Sequence, residues 1–211
     1  MRAPLLERLD ITLFNQIAFA LPHLSHLINV TQRFKLPAAR VSFLCDEVSI
    51  LMTPHGSRYS DGPCRLSVMC KKLDWQIDCA AQICSESIPT PSGVERFTLH
   101  CHDKIQPTEW HNDEIDYTTW HELLRSFIGV RALSIHGAFL EELARVMQVD
   151  EGGSEPWFLP GLQYIIAASD PFASFIDIRR VVGRPVWFWP TWRTPPVLRP
   201  LPKASPPTVH G

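Results

Sequence analysis

The segment Val94–Leu99, with the sequence VERFTL, carries apolar residues at its first, fourth and sixth positions. Similar phrases recur at 6–11, 130–135 and 162–167, and shorter copies lie at 41–43 and 66–68. Their central apolar residues are spaced by 32, 25, 31, 36 and 32 positions, with the anchors Leu9, Val41, Leu66, Phe97, Leu133 and Ile165. Because a nearly constant period is typical of repeat proteins, the phrase predicts an array of similar units.

Each phrase has the character of a β-strand, since apolar residues alternate with polar ones. Apolar residues at helical spacing follow several phrases, at 21–28, 74–84, 119–127, 139–147 and 170–178. Thr119–Glu122 matches a capping box, and Asp170-Pro171 suits a helix N-cap followed by the first helical position. We therefore expect an α/β fold, an irregular leucine-rich-repeat arc with parallel strands on the concave side and helices on the convex side.

The predicted domain runs from 1 to 186, and a tail of aromatic and then proline-rich sequence occupies 187–211. The tail is expected to be largely disordered, with Trp187, Phe188, Trp189 and Trp192 capping the open end of the array. Within the domain, residues 48–52 suggest an extra strand that forms a hairpin with 41–44. The segments 53–63 and 103–116 have loop composition.

The composition excludes several classes of protein. A net charge of −2 offers no charge-driven surface for nucleic acid or membrane. The six cysteines include no C-x-x-C pair and no signal peptide precedes them, which favours reduced, mostly buried thiols in a cytoplasmic or nuclear protein. Nucleophile, phosphate-binding, dinucleotide and zinc-protease motifs are missing, so we predict no enzyme, no catalytic residue and no cofactor.

The order of segments PHLSHLINVTQRF, AARVSFLCDEVSILM, LSVMCKKLDWQIDCAAQIC and DYTTWHELLRSFIGVRALSI resembles basidiomycete fungal F-box/leucine-rich-repeat-like proteins. The resemblance covers about residues 6–186 and corresponds to the repeat region alone, with no F-box visible. It implies the substrate-recognition part of an SCF-type ubiquitin ligase receptor. A Skp1-type adaptor is then expected as a partner only if an F-box exists outside this chain.

The candidate interaction residues follow from the strand prediction. Positions one and three after each anchor point to the open concave face, where repeat arrays usually bind partners. The main set is Asp10, Thr12, Ser67, Met69, Thr98, His100, Ser134 and His136, with Ser42, Leu44, Ile166 and Ala168 at equivalent positions. The target protein is not identifiable from these residues.

Two alternatives remain open at this point. His100, His102 and His136 fall in related registers beside Asp103, and imidazole with carboxylate is a ligand set that zinc uses, as in a small metal-binding protein or hydrolase. The second alternative is a truncated, non-functional gene product. A weaker candidate is a reactive thiol at Cys70, which precedes Lys71 and Lys72.

Overall fold

The computed structural model describes residues 9–14, 36–54, 64–87, 93–102, 117–148 and 159–191. These residues form a mixed α/β structure with eight strands and four α-helices. The strands are β1 (Leu9–Phe14), β2 (Ala38–Phe43), β3 (Glu47–Thr53), β4 (Cys64–Met69), β5 (Arg96–Cys101), β6 (Ala132–His136), β7 (Tyr164–Ala167) and β8 (Trp187–Pro190). The helices are α1 (Leu73–Gln82), which continues into a π-helical turn at Ile83–Ser87, α2 (Tyr117–Arg125), α3 (Leu140–Gln148) and α4 (Ala173–Val181).

All eight strands join one sheet in the order β1-β4-β3-β2-β5-β6-β7-β8. Strands β2, β5, β6, β7 and β8 are parallel neighbours in chain order. Strand β1 is parallel to β4, whereas β3 is antiparallel to both β2 and β4. The predicted α/β class is therefore confirmed, with a mostly parallel sheet.

A regular leucine-rich-repeat arc is not confirmed, because the first part of the sheet departs from chain order. The predicted hairpin is confirmed, since β3 returns antiparallel along β2 after a tight turn closed by the Leu44 N–H and the Glu47 carbonyl at 2.8 Å. This hairpin separates β4 from β2, and β1 pairs with β4 instead of β2. The prediction that the first three anchors lie on successive parallel strands is wrong.

The register also moves two anchors. Ala39 pairs with Phe97 and Val41 pairs with Leu99, and across β3 Cys64 is level with Ala39 and Leu66 is level with Val41. Val41 and Leu66 therefore each lie two residues after the true equivalent of Phe97, because alanine and cysteine give weaker hydrophobic signals than valine and leucine. A shift of two residues keeps every side chain on the same face.

Consecutive parallel strands begin in the same way. The Pro37 carbonyl accepts the N–H groups of Glu95 and Arg96 at 2.8 and 2.9 Å. The same double acceptance recurs one strand further on, at the Glu95 carbonyl, and again at the Arg131 carbonyl. The units are therefore repeats in backbone geometry as well as in sequence.

The core lies between the sheet and the helices. Inward strand residues and the apolar faces of the helices form one continuous buried cluster. At its centre Phe43 contacts Trp120 and Phe139, with ring centroids 6.0 and 5.0 Å apart, and Phe97 stacks on Phe127 at 4.1 Å. No helix in the described ranges is long and apolar enough to span a bilayer.

The predicted helices are present, but their details differ. In α1, Trp75 is 40% exposed beside Lys72, whereas Gln76 and Ile77 are buried. Helix α2 begins at Tyr117, so Thr119 lies inside the helix and the predicted capping box is wrong. Asp170 accepts the Phe172 N–H at 3.2 Å, but α4 begins only at Ala173.

The sheet extends beyond the predicted domain boundary at residue 186. Trp187–Pro190 forms β8 and pairs in parallel with β7, because aromatic residues favour strands and β7 offers an open edge. The expectations for a helix at 21–28, for loops at 55–63 and 103–116, and for a disordered tail at 192–211 lie outside the described residues.

Candidate interaction surface on the open face of the sheet

The two faces of the sheet differ because side chains alternate along each strand. On β5, Phe97 and Leu99 point into the core under the helices, and Thr98 and His100 point to the opposite side. The four described helices bury their apolar residues against the core side. We call the other side, which carries Thr98 and His100, the open face.

A row of six polar side chains crosses the open face. The register pairs Thr12 with Ser67, Ser67 with Ser49, Ser49 with Ser42, Ser42 with His100 and His100 with His136. With about 4.8 Å between strands, this hydroxyl–histidine row is about 24 Å long. The rings of His100 and His136 lie 6.4 Å apart, as the sequence predicted for neighbours in one register.

A second row lies one pleat away and is basic near its middle. In register it contains Asp10, Arg65, Leu51, Arg40, Thr98, Ser134, Ile166 and Trp189. Arg96 precedes Thr98 by two residues on β5 and therefore points to the same face. Three arginines thus lie on β4, β2 and β5, all on the same side of the hydroxyl–histidine row.

Arg40 connects the two rows. Its Nε donates a hydrogen bond to Ser42 Oγ at 3.1 Å. Partial burial lowers the pKa of His136, and the positive charge of Arg40 lowers it further. The imidazole of His136 is therefore held toward its neutral form, first by burial and then by the guanidinium charge of Arg40.

The last two strands give the open face a different character. Tyr164 and Ile166 on β7 pair with Trp187 and Trp189 on β8. The side chain of Trp187 is 61% exposed. The face therefore changes from hydroxyl, imidazole and guanidinium groups on β4 to β6 to aromatic and aliphatic groups on β7 and β8.

The predicted interaction residues share this face, but they are not equally accessible. Asp10, Thr12 and His136 are exposed, and Met69, His100 and Ser134 are half-buried. Ser67 and Thr98 are only 3% and 5% exposed, so they line the floor between larger neighbours. Their small side chains contribute shape more than contact area.

The sequence reasoning missed the arginines and Ser49. It considered only positions after each anchor, whereas the residue directly before an anchor points to the same face as the residue after it. An arginine precedes the anchor at Arg8, Arg40, Arg65 and Arg96, which is four of the six phrases. That recurrence was the available signal. Ser49 was missed because β3 belongs to the hairpin and carries no anchor.

The alternative metal site finds no support in the described ranges. They contain no group of three or more His, Cys, Asp or Glu side chains able to hold a metal ion. His100 and His136 are close, but His102 does not complete a set with them. Asp103 lies outside the described residues.

The cysteines are free thiols, and only Cys45 is exposed. Burial raises the pKa of Cys64 to about 11 and that of Cys79 to about 12. Burial also raises the pKa of Cys70, despite the adjacent Lys71 and Lys72, which disfavours the weaker candidate of a reactive thiol there.

Comparison with protein-family models, with curated proteins and with solved structures finds no match to this chain. The open face is therefore interpreted from its own residues.

Proposed function

We propose that this chain is a non-enzymatic protein-interaction module that receives its partner on the open face. The observation that carries the proposal is the pair of in-register rows, which continue across the sheet on the side away from the described helices. A sheet backed by a packed core presents such rows as a rigid surface, which limits the entropy lost on binding.

The residue types of the open face suit contact with another protein. Arginine, tyrosine and tryptophan are enriched at interfaces and among the residues that dominate binding energy. Here Arg40, Tyr164 and Trp187 flank short serine and threonine side chains, over which another backbone can approach closely. Larger contact residues around a polar floor are a favourable arrangement for an extended partner.

The resemblance to F-box receptors gives the proposal its biological form. In that form the open face selects a target, and ligase attachment depends on an F-box outside this chain. We expect purified chain alone not to bind Skp1. A tight complex of the two purified proteins would show that the chain holds an equivalent of the F-box.

The experiment tests whether binding of the partner depends on the open face. Proteins captured from cell lysate by the full chain are identified, purified and titrated against two variants, each of which replaces a serine by glutamate. Ser134→Glu places the larger charged side chain in the middle of the open face, and Ser174→Glu places it on the exposed side of α4. We expect Ser134→Glu to weaken binding about tenfold or more, and Ser174→Glu to leave it unchanged.

Both variants must retain the cooperative thermal unfolding of the natural chain, which also tests the alternative of a non-functional product. Equal binding by Ser134→Glu and the natural chain, or equal losses in both variants, would contradict the proposal. The lack of a cooperative transition in the natural chain would favour the non-functional alternative.

A further inference from the structure

We propose that the segment bound by the open face is an extended acidic peptide with an apolar anchor. Its carboxylates lie over the arginines of β4, β2 and β5 and over the Ser42 hydroxyl, and its anchor lies over the aromatic side chains of β7 and β8. This inference rests on the proposed function and specifies the chemistry of the partner.

The first argument is charge. Arg40 lies opposite Thr98, and Arg96 is two residues from Thr98 on the same strand, so the two arginines are diagonal neighbours. Diagonal cross-strand positions are about 7–8 Å apart, so one carboxylate can lie within reach of both guanidinium groups. The Arg40 charge also extends to β6, where it adds to the effect of burial in lowering the pKa of His136.

The second argument is hydrogen-bonding chemistry. Guanidinium groups bind carboxylates through two parallel hydrogen bonds, and hydroxyl groups can donate further bonds to the same oxygens. Ser42 already lies 3.1 Å from Arg40 Nε through its Oγ, so hydroxyl and guanidinium groups are adjacent at one place. Ser49, beside Ser42 on β3, is only 5% exposed and belongs to the floor of the row together with Ser67.

The third argument is length. The hydroxyl–histidine row covers about 24 Å, which an extended peptide of about seven residues spans at 3.4 Å per residue. Beyond His136 the same face continues with Ile166 and Trp189 and, one pleat away, with Tyr164 and Trp187. A peptide crossing the strands therefore meets basic and polar groups first and an apolar surface afterward.

The balance of charges favours a peptide over a polyanion. Asp10 and Glu47 also point to the open face, where they pair in register with Arg65 and Met69. Nucleic acid or an anionic membrane would bring dense negative charge over these carboxylates as well. The net charge of −2 for the whole chain disfavours such partners further.

The test uses the full chain and a fluorescein-labelled peptide of about nine residues. The probe carries four glutamates in one half, and a leucine and a tryptophan in the other. Its control has the glutamates replaced by glutamine. Fluorescence anisotropy measures the affinity of each peptide. We expect the glutamate peptide to bind at least about tenfold more tightly, with an affinity that falls as salt is added.

Protein variants locate the contact. Arg40→Gln should weaken the glutamate peptide about tenfold, because hydrogen bonds to a charged group are lost, and Arg40→Lys should recover part of that loss. Arg180→Gln is the matched control, since Arg180 pairs with Asp177 on the exposed surface of α4 and lies in the helical layer. It should bind as tightly as the natural chain.

Equal affinity for the two peptides, or equal losses in Arg40→Gln and Arg180→Gln, would overturn the inference. Tighter binding of a single-stranded oligonucleotide or of phosphatidylserine vesicles would overturn it in favour of another class of ligand. No binding of the probe at about 1 mM would overturn it too. The proposed function would stand in that case if Ser134→Glu still weakened binding of the purified partner, and would fall if it did not.

Discussion

The two parts of the sheet are built by different rules. Strands β6, β7 and β8 each pair in parallel with the strand before them in the chain, and helices α2, α3 and α4 lie in the connections from β5 to β8. Between β2 and β3 only Leu44, Cys45 and Asp46 connect the strands, and the pairing is antiparallel. A parallel neighbour requires a crossover of a dozen or more residues, so the length of the connection determines strand direction.

This difference leaves the open face unbroken. The hairpin strand β3 places Ser49 between Ser42 and Ser67, so the hydroxyl–histidine row crosses from one part to the other without a change of face. The strand order of a sheet and the side chains on its surface can therefore vary independently. The inserted strand β3 changes the strand order, but because side chains alternate along it, the polar row stays on one face.

The largest expected effect is on the junction of the two parts. Trp120 of α2 contacts Phe43 from β2 and Phe139 from the segment before α3, and it is fully buried. Trp120→Ala should lower the free energy of unfolding by about 3–5 kcal/mol, because it removes the ring and leaves a cavity. Denaturant titration measures the loss. A decrease below about 1 kcal/mol would show that the junction is not a shared core.

The second prediction concerns the parallel part alone. Gly137 has a φ of +87°, and a Cβ at this position would overlap the carbonyl of Cys101 on the neighbouring strand. Gly137→Ala should therefore destabilise the protein by about 2–4 kcal/mol. Gly183 has a φ of +73° but open space around it, so Gly183→Ala should cost only about 1 kcal/mol. Thermal unfolding measures both losses of stability. Equal losses in the two variants would show that close packing at Gly137 does not contribute.

The third prediction concerns the hairpin part. The buried Gln76 side chain donates hydrogen bonds to the carbonyls of Leu44 and Cys70, at 2.8 and 2.7 Å, and so ties the hairpin to the start of α1. Gln76→Ala should cost about 2–3 kcal/mol, because two carbonyls lose a donor. Hydrogen exchange should quicken in β3 before it does in β7. Uniform quickening across the sheet, or a similar loss in Gln82→Ala, would contradict this local role.

The smallest expected effect is a pH dependence on the open face. The folded pKa of His136 lies below its ordinary value of 6.5, owing first to burial and then to the Arg40 charge, with His100 beside it. As the pH falls, His136 therefore takes up its proton in the unfolded chain before it does so in the folded chain. This uptake favours the unfolded state, so the protein loses stability as the pH falls below about 6.5. Unfolding midpoints measured from pH 7 to about pH 5 should fall less in His136→Gln than in the natural chain. An identical fall of the unfolding midpoint in both proteins would show that His136 does not contribute to the pH dependence of stability.

Much of the fold was predictable because local patterns specify local structure. The phrases around Phe97, Leu133 and Ile165 became parallel neighbours, since period-two alternation and intervening helices leave few other arrangements. The pairing of β1 with β4 was not predictable, because spacing along the chain carries no information on which edge a distant strand chooses. The β8 strand was missed because its proline-rich context disguised a short aromatic strand.

The sequence predicts which strand residues share the open face, but it does not reveal all of the interactions among them. His100 and His136 could be aligned from the sequence because both follow an anchor by three residues. The partial burial of Ser67 and Thr98 depends on neighbours from other strands, which a single phrase does not reveal. The effect of Arg40 on His136 depends on the pairing of β2 with β5 and of β5 with β6.

The most direct test of the open face as the interaction surface is an NMR titration of the histidine ring protons with the glutamate peptide. We predict that the ring-proton chemical shifts of His100 and His136 change together as the peptide binds. The ring-proton shifts of His121, which is buried in the helical layer with its Nε2 3.0 Å from the Val146 carbonyl oxygen, should not change. A change in the shifts of His121 with none in those of His100 and His136 would contradict the account.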